Sequence, residues 1–371
     1  MNRPHNILIT ILLASTLFYN SQAEAKRPRK TNIPAIYPTK EAGWNKVAPE
    51  KYGYDSVKLE RLRDYIISNT NATGVTVIVG GEEIFEYGSQ SRLSYIASCR
   101  KSVLAMMYGK YVENGTIDLS KTINDLGIDD YGGLLPIEKN ATVYDLITAR
   151  SGIYHEASNA GSDIANMPSR GSKKPGTFFL YNNWDFNAAG TAFEIMTGQN
   201  IYDAFENDIA IPIGMQDWDR AAQSKGGNQK ISKHLAYHFN FSVRDMARLG
   251  YLMLRNGRWG EVQVISKDWV RKMTSPVSTA REAGHGAKDP RYSYGYMWWI
   301  YDEDCSQYAW EYDGAYGAHG AMGQYIKVFP VKDMVIVIKT DSIYGRRTNE
   351  SEQNEIIEMI FRSFNKKLLK K

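Results

Sequence analysis

Two residues at the start of an apolar run have the spacing needed for nucleophilic chemistry. In YIASCRKSVLAMMYGKYVENG, residues 95–115, Ser98 comes three residues before Lys101. Positions i and i+3 share one face of a helix, so the lysine amine would lie beside the serine hydroxyl. Ser98 would also lie at the helix N-terminus, where unpaired backbone N–H groups favour developing negative charge. A serine hydroxyl becomes a useful nucleophile when a neighbouring base removes its proton.

The surroundings of Lys101 favour such a role, but the spacing alone does not establish it. Val103 and Leu104 are apolar, and a desolvated lysine is shifted toward its neutral, proton-accepting form. Serine and lysine three residues apart are nevertheless common on exposed helix surfaces. The interpretation therefore depends on whether other parts of the chain supply matching groups.

Two later stretches supply such groups. FFLYNNWDFNAAG places Tyr181 and Asn183 just before a helical pattern. GAYGAHGAMGQYIKVFP is a glycine-rich approach to a strand and contains His319 and Gly320. Three ordered stretches with this spacing are much more specific than the Ser-x-x-Lys spacing alone.

These three stretches resemble the motifs of the serine β-lactamase-related hydrolases. That family includes class C β-lactamases, D-Ala-D-Ala carboxypeptidases, D-aminopeptidases, esterases and 6-aminohexanoate-oligomer hydrolases. Its motifs are S-x-x-K, Y-x-N and K-T-G or a variant such as H-x-G, which match here Ser98 to Lys101, Tyr181 to Asn183 and His319 to Ala321. DLITARSGI and NFSVRDMARLGYLML also resemble flanking segments of the family, and the resemblance extends over about residues 47–364.

The resemblance implies a role for each matching residue. Ser98 would attack a carbonyl and form an acyl-enzyme, while Lys101 and Tyr181 would share the proton transfers, with Tyr181 as a phenolate-like base. Asn183 would orient the substrate. The Ser98 N–H and one N–H on the HGAMG strand would form an oxyanion hole.

The third motif departs from the family pattern. His319 takes the place of either the lysine or the threonine of K-T-G. The following Gly323 and Gln324 favour the threonine place, which puts the oxyanion N–H on Ala321; the other register puts it on Met322. A histidine that is mostly neutral near pH 7 weakens the cationic hold on a substrate carboxylate, which argues against a β-lactamase proper.

Other reactive side chains have simpler interpretations. Cys99 cannot share the geometry of Ser98, because adjacent helix positions point about 100° apart, and the sequence leaves open whether Cys99 and Cys305 pair. HLAYH, residues 234–238, has the i, i+4 spacing of a metal site but lacks the glutamate of H-E-x-x-H, so solvent-facing or capping histidines are expected. His155 could line the cleft or face solvent, and Trp184 could line the pocket. No metal or cofactor is predicted.

The hydrophobic pattern predicts how these residues are held. A helix over 55–68 and a hairpin around Gly80-Gly81 precede the Ser98 helix. A mostly helical region follows over roughly 116–290, then strands at YSYGYMWWIYD, GQYIKVFP and DMVIVIKTDS and a final helix starting near Asn349. This order predicts one sheet built from both chain ends with a helical insertion. With the resemblance, the fold class is α/β, β-lactamase/transpeptidase-like, with an antiparallel sheet flanked by helices.

Composition and the N-terminus suggest an exported globular protein. The formal net charge of +4 equals the contribution of the four basic residues at 26–30, so the remaining chain is neutral and nucleic acid binding is not expected. ILITILLASTLF followed by AEA, residues 23–25, has the form of a cleavable signal peptide. We predict a signal peptide at 1–25, a leader at 26–46 and one hydrolase domain at 47–371, located in the periplasm or medium without a membrane span.

The sequence thus predicts an exported serine hydrolase acting on a small ester, amide or peptide. An esterase or an oligo-amide hydrolase resembling the 6-aminohexanoate-dimer hydrolases is favoured. The alternatives are a D-amino-acid-directed peptidase acting on peptidoglycan fragments and a penicillin- or peptidoglycan-binding protein that is acylated without turnover. The sequence leaves the substrate and the oligomeric state open.

Overall fold

The computed structural model describes residues 35–159, 161, 167–285, 290–301 and 310–370. The predicted signal peptide, residues 26–34 of the predicted leader and Cys305 lie outside these residues. Ala35–Lys371 forms one compact unit. No helix among the described residues combines the length and apolar composition needed to cross a membrane.

The long strands come from the two ends of the described chain, and most of the helices come from the middle. The helices are α1 (Ser56–Asn69), α2 (Cys99–Glu113), α3 (Val143–Ile147), α4 (Asn183–Thr197), α5 (Ile201–Phe205), α6 (Val243–Leu254), α7 (Lys267–Met273), α8 (Ala280–Ala283) and α9 (Glu350–Ser363). The strands are β1 (Gly74–Val79), β2 (Glu82–Gly88), β3 (Ser94–Tyr95), β4 (Ser224–Gly226), β5 (Ala236–His238), β6 (Asn240–Phe241), β7 (Arg258–Trp259), β8 (Val262–Gln263), β9 (Ser293–Tyr294), β10 (Trp299–Ile300), β11 (Tyr316–Gly320), β12 (Gln324–Phe329) and β13 (Met334–Lys339).

One seven-stranded antiparallel sheet joins the two ends of the chain, in the order β2-β1-β13-β12-β11-β10-β9. Strand β1 pairs with β13 from Gly74↔Lys339 to Val79↔Met334. Both strands are buried on both faces and are rich in valine and isoleucine, residues that pack well on a pleated surface. The predicted antiparallel sheet, built from both chain ends and flanked by helices, is therefore confirmed.

Each face of the sheet carries its own hydrophobic core. Helices α1 and α9 pack together on one side, over a core that includes Val75, Val77 and Ile336. Helices α2 and α6 cover the other side, where the core continues into the helical region. Both of these helices are capped at their start, since Asp55 accepts from Lys58 N before α1 and Asn349 caps α9. Helix α2 is thus sandwiched between the sheet and the helical region, which fixes Ser98 at their junction.

The middle of the chain is less uniformly helical than expected. Helices α3 to α8 alternate with short two-stranded ladders, β4–β5 and β7–β8, and β6 pairs back to β3. The stretch YSYGYMWWIYD forms two short strands, β9 and β10, separated by a turn in which Met297 has φ 57°. Strands of two or three residues carry too little alternation to be recognised as strands in a sequence.

Candidate active site

Ser98 lies on the turn that leads into α2. It is partly exposed, although most residues of α2 are buried. The preceding Ala97 has a left-handed backbone, φ 48°, a conformation that costs a non-glycine residue about 1 kcal/mol. The Ser98 N–H donates no hydrogen bond to a described residue. The turn therefore offers both a hydroxyl and an unpaired N–H at the surface.

Lys101 connects the serine with the second stretch. Its Nζ donates to Ser98 Oγ at 3.0 Å, to Tyr181 OH at 2.8 Å and to Asn183 Oδ1 at 2.7 Å. The side chain is 1% exposed. Three oxygen acceptors match the three N–H donors of an ammonium group. The sequence shows only apolar neighbours for Lys101, whereas in the structure its Nζ is surrounded by these oxygens.

The start of α4 places Tyr181 and Asn183 on either side of a capping residue. Asn182 accepts from Trp184 N at 3.0 Å, and its Nδ2 donates to Ile153 O at 2.7 Å. Because both ends of the Asn182 amide are held, the turn before α4 has one orientation. This turn brings the phenol and the Asn183 amide to the same lysine.

The phenol of Tyr181 is under opposing influences. Burial is the largest influence and raises the pKa of Tyr181 above its ordinary value, although the Ser98 hydroxyl and the Arg100 guanidinium act to lower it. Lys101 Nζ lies 4.1 Å from the centroid of the Tyr181 ring as well as within hydrogen-bond distance of the oxygen. An adjacent positive charge favours the anionic form of a phenol. Tyr181 is thus suited to exchange a proton with Ser98.

Strand β11 approaches the Ser98 turn at Gly320. A Cβ on Gly320 would lie 2.5 Å from Ile96 O and 3.2 Å from Ser98 N, so only glycine permits this approach. The next residue, Ala321, has an N–H that donates to no described residue. Ala321 directly follows Gly320, the residue that contacts the Ser98 turn. Its N–H therefore lies next to that turn, which suits the register that places His319 at the threonine position.

His319 does not act as an isolated histidine. Its Nε2 lies 2.5 Å from Nζ of Lys327, a fully buried residue of β12 that also donates to Tyr301 OH at 2.8 Å. Gly317 makes room for this contact, since a Cβ there would lie 2.9 Å from Lys327 Cδ. Two nitrogens this close share one proton, so both cannot be charged. In either arrangement of a singly charged pair, Nδ1 of His319 carries a hydrogen.

The charge at the third motif therefore comes from a residue outside the motif. Burial lowers the pKa of Lys327 to about 7 and, with the Lys327 charge, holds the pKa of His319 well below its usual range. The sequence-based expectation considered His319 alone and assigned the motif little charge. A lysine inside the apolar run QYIKVF is the signal that could have revealed it, because lysine is almost never fully buried without a partner.

An aromatic side chain links the second and third motifs. Trp299 of β10 stacks on His319 with ring centroids 5.7 Å apart and an angle of 17°. Its centroid also lies 5.2 Å from that of Tyr181. No motif pointed to Trp299, since the run that contains it resembles an ordinary strand. The three rings nevertheless form one continuous wall beside Lys101.

The other candidate residues from the sequence lie away from the contacts of Lys101 or are held in an unreactive form. Cys99 is a free, buried thiol whose Sγ donates to Gln324 O at 3.3 Å, and burial raises its pKa to about 12. Trp184 is buried and donates from Nε1 to Asp130 Oδ2 at 2.7 Å, so the expectation that it lines the pocket is wrong. His155 contacts the carbonyl oxygens of Glu156 and Tyr131 at 2.9 Å each.

Of the two histidines of HLAYH, His238 is partly exposed, whereas His234 is buried, so the expectation of a solvent-facing side chain is wrong for His234. His234 is 5% exposed and Nδ1 lies 3.0 Å from Thr191 Oγ1. His238 packs on Tyr95 with centroids 4.6 Å apart, and burial lowers its pKa to about 4. Among the described residues, no group of three or more histidines, cysteines or carboxylates has the arrangement of a metal site.

Comparison with known proteins places this arrangement in context. A model of the β-lactamase family matches residues 68–353. A Bacillus anthracis protein named as a 6-aminohexanoate-dimer hydrolase is 19% identical in sequence, with a TM-score of 0.61 over 88% of this chain and 86% of that one. EstCE1, a hydrolase with promiscuous acyltransferase activity, is 13% identical, with a TM-score of 0.62 over 84% and 99% of the two chains. A penicillin-binding protein from Bacillus halodurans is 16% identical, with a TM-score of 0.59 over 81% and 99%.

These structures share the fold at identities too low to transfer a substrate. No curated protein sequence matches the chain.

Proposed function

Because the chain belongs to the β-lactamase family, we propose that it is an exported serine hydrolase that cleaves an ester or amide through an acyl-enzyme on Ser98. The observation that carries the proposal is the position of Lys101 Nζ, 3.0 Å from Ser98 Oγ and 2.8 Å from Tyr181 OH. A nucleophile, a base and a cation in mutual contact form the minimal set for acyl transfer.

Acylation begins with the transfer of a proton from Ser98 to Tyr181. The phenolate of Tyr181, stabilised by the Lys101 ammonium, accepts the hydroxyl proton as Oγ forms a bond to the substrate carbonyl carbon. The tetrahedral intermediate collapses when the bond to the leaving oxygen or nitrogen breaks. Tyr181 returns its proton to that leaving atom, which regenerates the phenolate.

Deacylation repeats the same steps with water. Tyr181 accepts a proton from water, the resulting hydroxide attacks the acyl carbon, and the bond to Ser98 Oγ breaks as Oγ regains a proton. In both halves the carbonyl oxygen becomes negative and would accept from the N–H groups of Ser98 and Ala321. Asn183, held by Lys101 and by the Asn159 backbone carbonyl, would lie beside the substrate chain and orient it.

An ester or an oligo-amide is the favoured substrate class. Ser98, Tyr181, Asn183 and His319 are all partly exposed, so a substrate would reach the nucleophile without displacing core residues. The aromatic wall of Tyr181, Trp299 and His319 offers apolar contact area for an acyl chain. One similar structure carries a name for hydrolysis of an oligo-amide and another a name for acyl transfer, which suits this choice.

A second candidate is a D-amino-acid-directed peptidase on peptidoglycan fragments. The observation in its favour is the His319–Lys327 pair, whose single positive charge suits a substrate that bears a carboxylate. A penicillin-binding protein that is acylated but does not turn over would use the same contacts. It would differ in the fate of the acyl group.

Intact-mass spectrometry with three probes separates these candidates. The mature protein is treated with p-nitrophenyl acetate, a fluorophosphonate or a penicillin, and Ser98→Ala is the matched control. A fluorophosphonate adduct on the wild type alone, together with ester turnover, is the expected result. A stable penicilloyl adduct without ester turnover would favour the binding protein, and no adduct with any probe would overturn the nucleophile assignment.

Export is tested separately from catalysis. We propose cleavage after Ala25, because AEA at residues 23–25 follows an apolar run of signal-peptide length. Expression of the full chain in a bacterium with a periplasm should give a protein that begins at Lys26 by N-terminal sequencing. Replacing Ala23 and Ala25 by bulky residues should leave the precursor uncleaved, and an intact N-terminus on the wild type would contradict export.

A further inference from the structure

Arg100 lies between the two reactive residues of α2 and is buried. It is 1% exposed, and its Nη2 donates to Asn187 Oδ1 at 2.7 Å. Its guanidinium carbon lies 4.4 Å from the centroid of the Tyr237 ring. No ion pair with a described carboxylate involves Arg100. A charged group withdrawn from water in this way is costly, and the contacts with one amide and one aromatic face offset only part of that cost.

A chain of amides connects Arg100 with Lys101. Asn187 Nδ2 donates to Asn159 Oδ1 at 2.8 Å, and Asn183 Nδ2 donates to the Asn159 backbone carbonyl at 3.0 Å. Asn183 Oδ1 in turn accepts from Lys101 Nζ at 2.7 Å. The side chains of Arg100 and Lys101 leave α2 in different directions. Hydrogen bonds through three asparagines nevertheless connect them.

The two cations also fix how these amides are oriented. Arginine and lysine only donate, so Asn187 and Asn183 must each turn the carbonyl oxygen toward its cation. Each amide then directs its Nδ2 to Asn159, one at the side chain and one at the backbone. Asn183 is thereby held in one orientation from the Arg100 side as well as from the Lys101 side.

We propose that Arg100 is a positioning residue for the proposed reaction: its buried charge stabilises the anionic Tyr181 that accepts the Ser98 proton, and its amide chain holds Asn183 against Lys101. The inference rests on the proposed serine-hydrolase function and adds to it a residue that touches neither substrate nor nucleophile.

Electrostatics supports the first part of this role. Burial raises the pKa of Tyr181 overall, and the Arg100 charge lowers it against that larger effect. The same charge contributes, after burial, to the low pKa of His238. The charged or titratable groups that act on Tyr181 from the elements packed around it are Arg100, Cys99 and Lys101 of α2, Tyr237 of β5 and Tyr294 of β9.

The test is the pH profile of kcat/KM for p-nitrophenyl acetate in Arg100→Met and Arg100→Lys. Removing the charge should move the acidic limb of the profile to higher pH by about one unit, because a nearby charge shifts a pKa by roughly 1–3 units. Arg100→Lys keeps a positive charge, so its acidic limb should lie close to that of the wild type. Equal losses for both variants at every pH, with the limb unmoved, would overturn the inference and leave only a structural role.

Two substitutions of Asn187 separate the charge from the amide chain. Asn187→Asp places a carboxylate on the guanidinium and should move the acidic limb in the same direction as Arg100→Met while Arg100 remains. Asn187→Ala cuts the amide chain but keeps the charge, so it should lower kcat with the limb nearly in place. A limb unmoved by Asn187→Asp would contradict the electrostatic role even if Arg100→Met fails to fold.

Fluorophosphonate labelling of Ser98 keeps this inference distinct from the proposed function. No adduct and no ester turnover on the wild type would overturn both. The other outcome is a wild type that is labelled and active, with the acidic limb of its pH profile at the same pH as in Arg100→Met and Asn187→Asp. That result would overturn the role of Arg100 alone. Thermal unfolding of every variant identifies any that has lost its fold.

Discussion

Two buried lysines near the same cleft have different chemical surroundings. Lys101 of α2 is ringed by three oxygens, from Ser98, Tyr181 and Asn183. Lys327 of β12 faces a histidine nitrogen and one phenol, inside a cage of aromatic rings. Both are almost completely inaccessible. The comparison shows that burial alone does not decide what a lysine does, because its state depends on whether the surrounding atoms accept or compete for a proton.

The largest expected effect is the difference in turnover between variants of Lys101 and of Lys327. Lys101→Met should lower kcat/KM for p-nitrophenyl acetate by about 10³-fold, since it removes the cation that contacts both Ser98 and Tyr181. The matched substitution Lys327→Met should leave neutral-ester turnover within roughly tenfold of the wild type. Similar losses for both, measured at one pH on folded protein, would contradict the division between them.

The surroundings of Lys101 and of Lys327 come into contact where the end of β11 approaches the Ser98 turn. A substitution there should disturb the distance between them. Gly320→Ala places a Cβ 2.5 Å from Ile96 O and 3.2 Å from Ser98 N, which forces the strand away from the α2 turn. We expect a loss of about 10²-fold in kcat, comparable to the loss of one oxyanion donor. A steady-state assay checks this. Unchanged kcat would show that the N–H groups of Ser98 and Ala321 do not act together.

A smaller effect should depend on the substrate. Below pH 7, where Lys327 is protonated, Lys327→Met removes the charge behind His319. There kcat/KM should fall by roughly tenfold more for an ester that carries a carboxylate than for its neutral analogue, as for the loss of one charge-assisted hydrogen bond. Gly317→Ala should act in the same direction by displacing the Lys327 side chain. Equal losses for the charged and the neutral ester would indicate that the pair has a structural role only.

The last expected effect is on stability and leaves turnover aside. The pKa of Lys327 is about 7 in the folded protein, below its ordinary value of 10.5. Between those values the unfolded chain binds more protons, so the free energy of unfolding should rise with pH, by about 1.4 kcal/mol for each unit by which the pKa is lowered. Urea unfolding at pH 6.5 and 9 should show a larger rise for the wild type than for Lys327→Met. Parallel curves would mean that Lys327 stays charged.

The sequence predicted the sheet correctly, and the structure brings the residues of the first two motifs together at Lys101. Spacing placed Lys101 one turn from Ser98, and the apolar alternation of the terminal segments predicted strands from both ends. It was wrong about the surroundings of Trp184 and His234, because a buried aromatic or histidine whose partner lies far away in the chain resembles an exposed one. Asp130, which anchors Trp184, lies in a segment without periodicity.

The parts that the sequence determined are those set by local geometry. Helical spacing fixes Ser98 against Lys101, and the cap at Asn182 fixes the turn that carries Tyr181. Only the tertiary structure brought Lys327 to His319 and Arg100 to Asn187. The first contact depends on the register of β11 with β12 and the second on how α2 packs against α4, and both are decided by burial of the whole core rather than by any one segment.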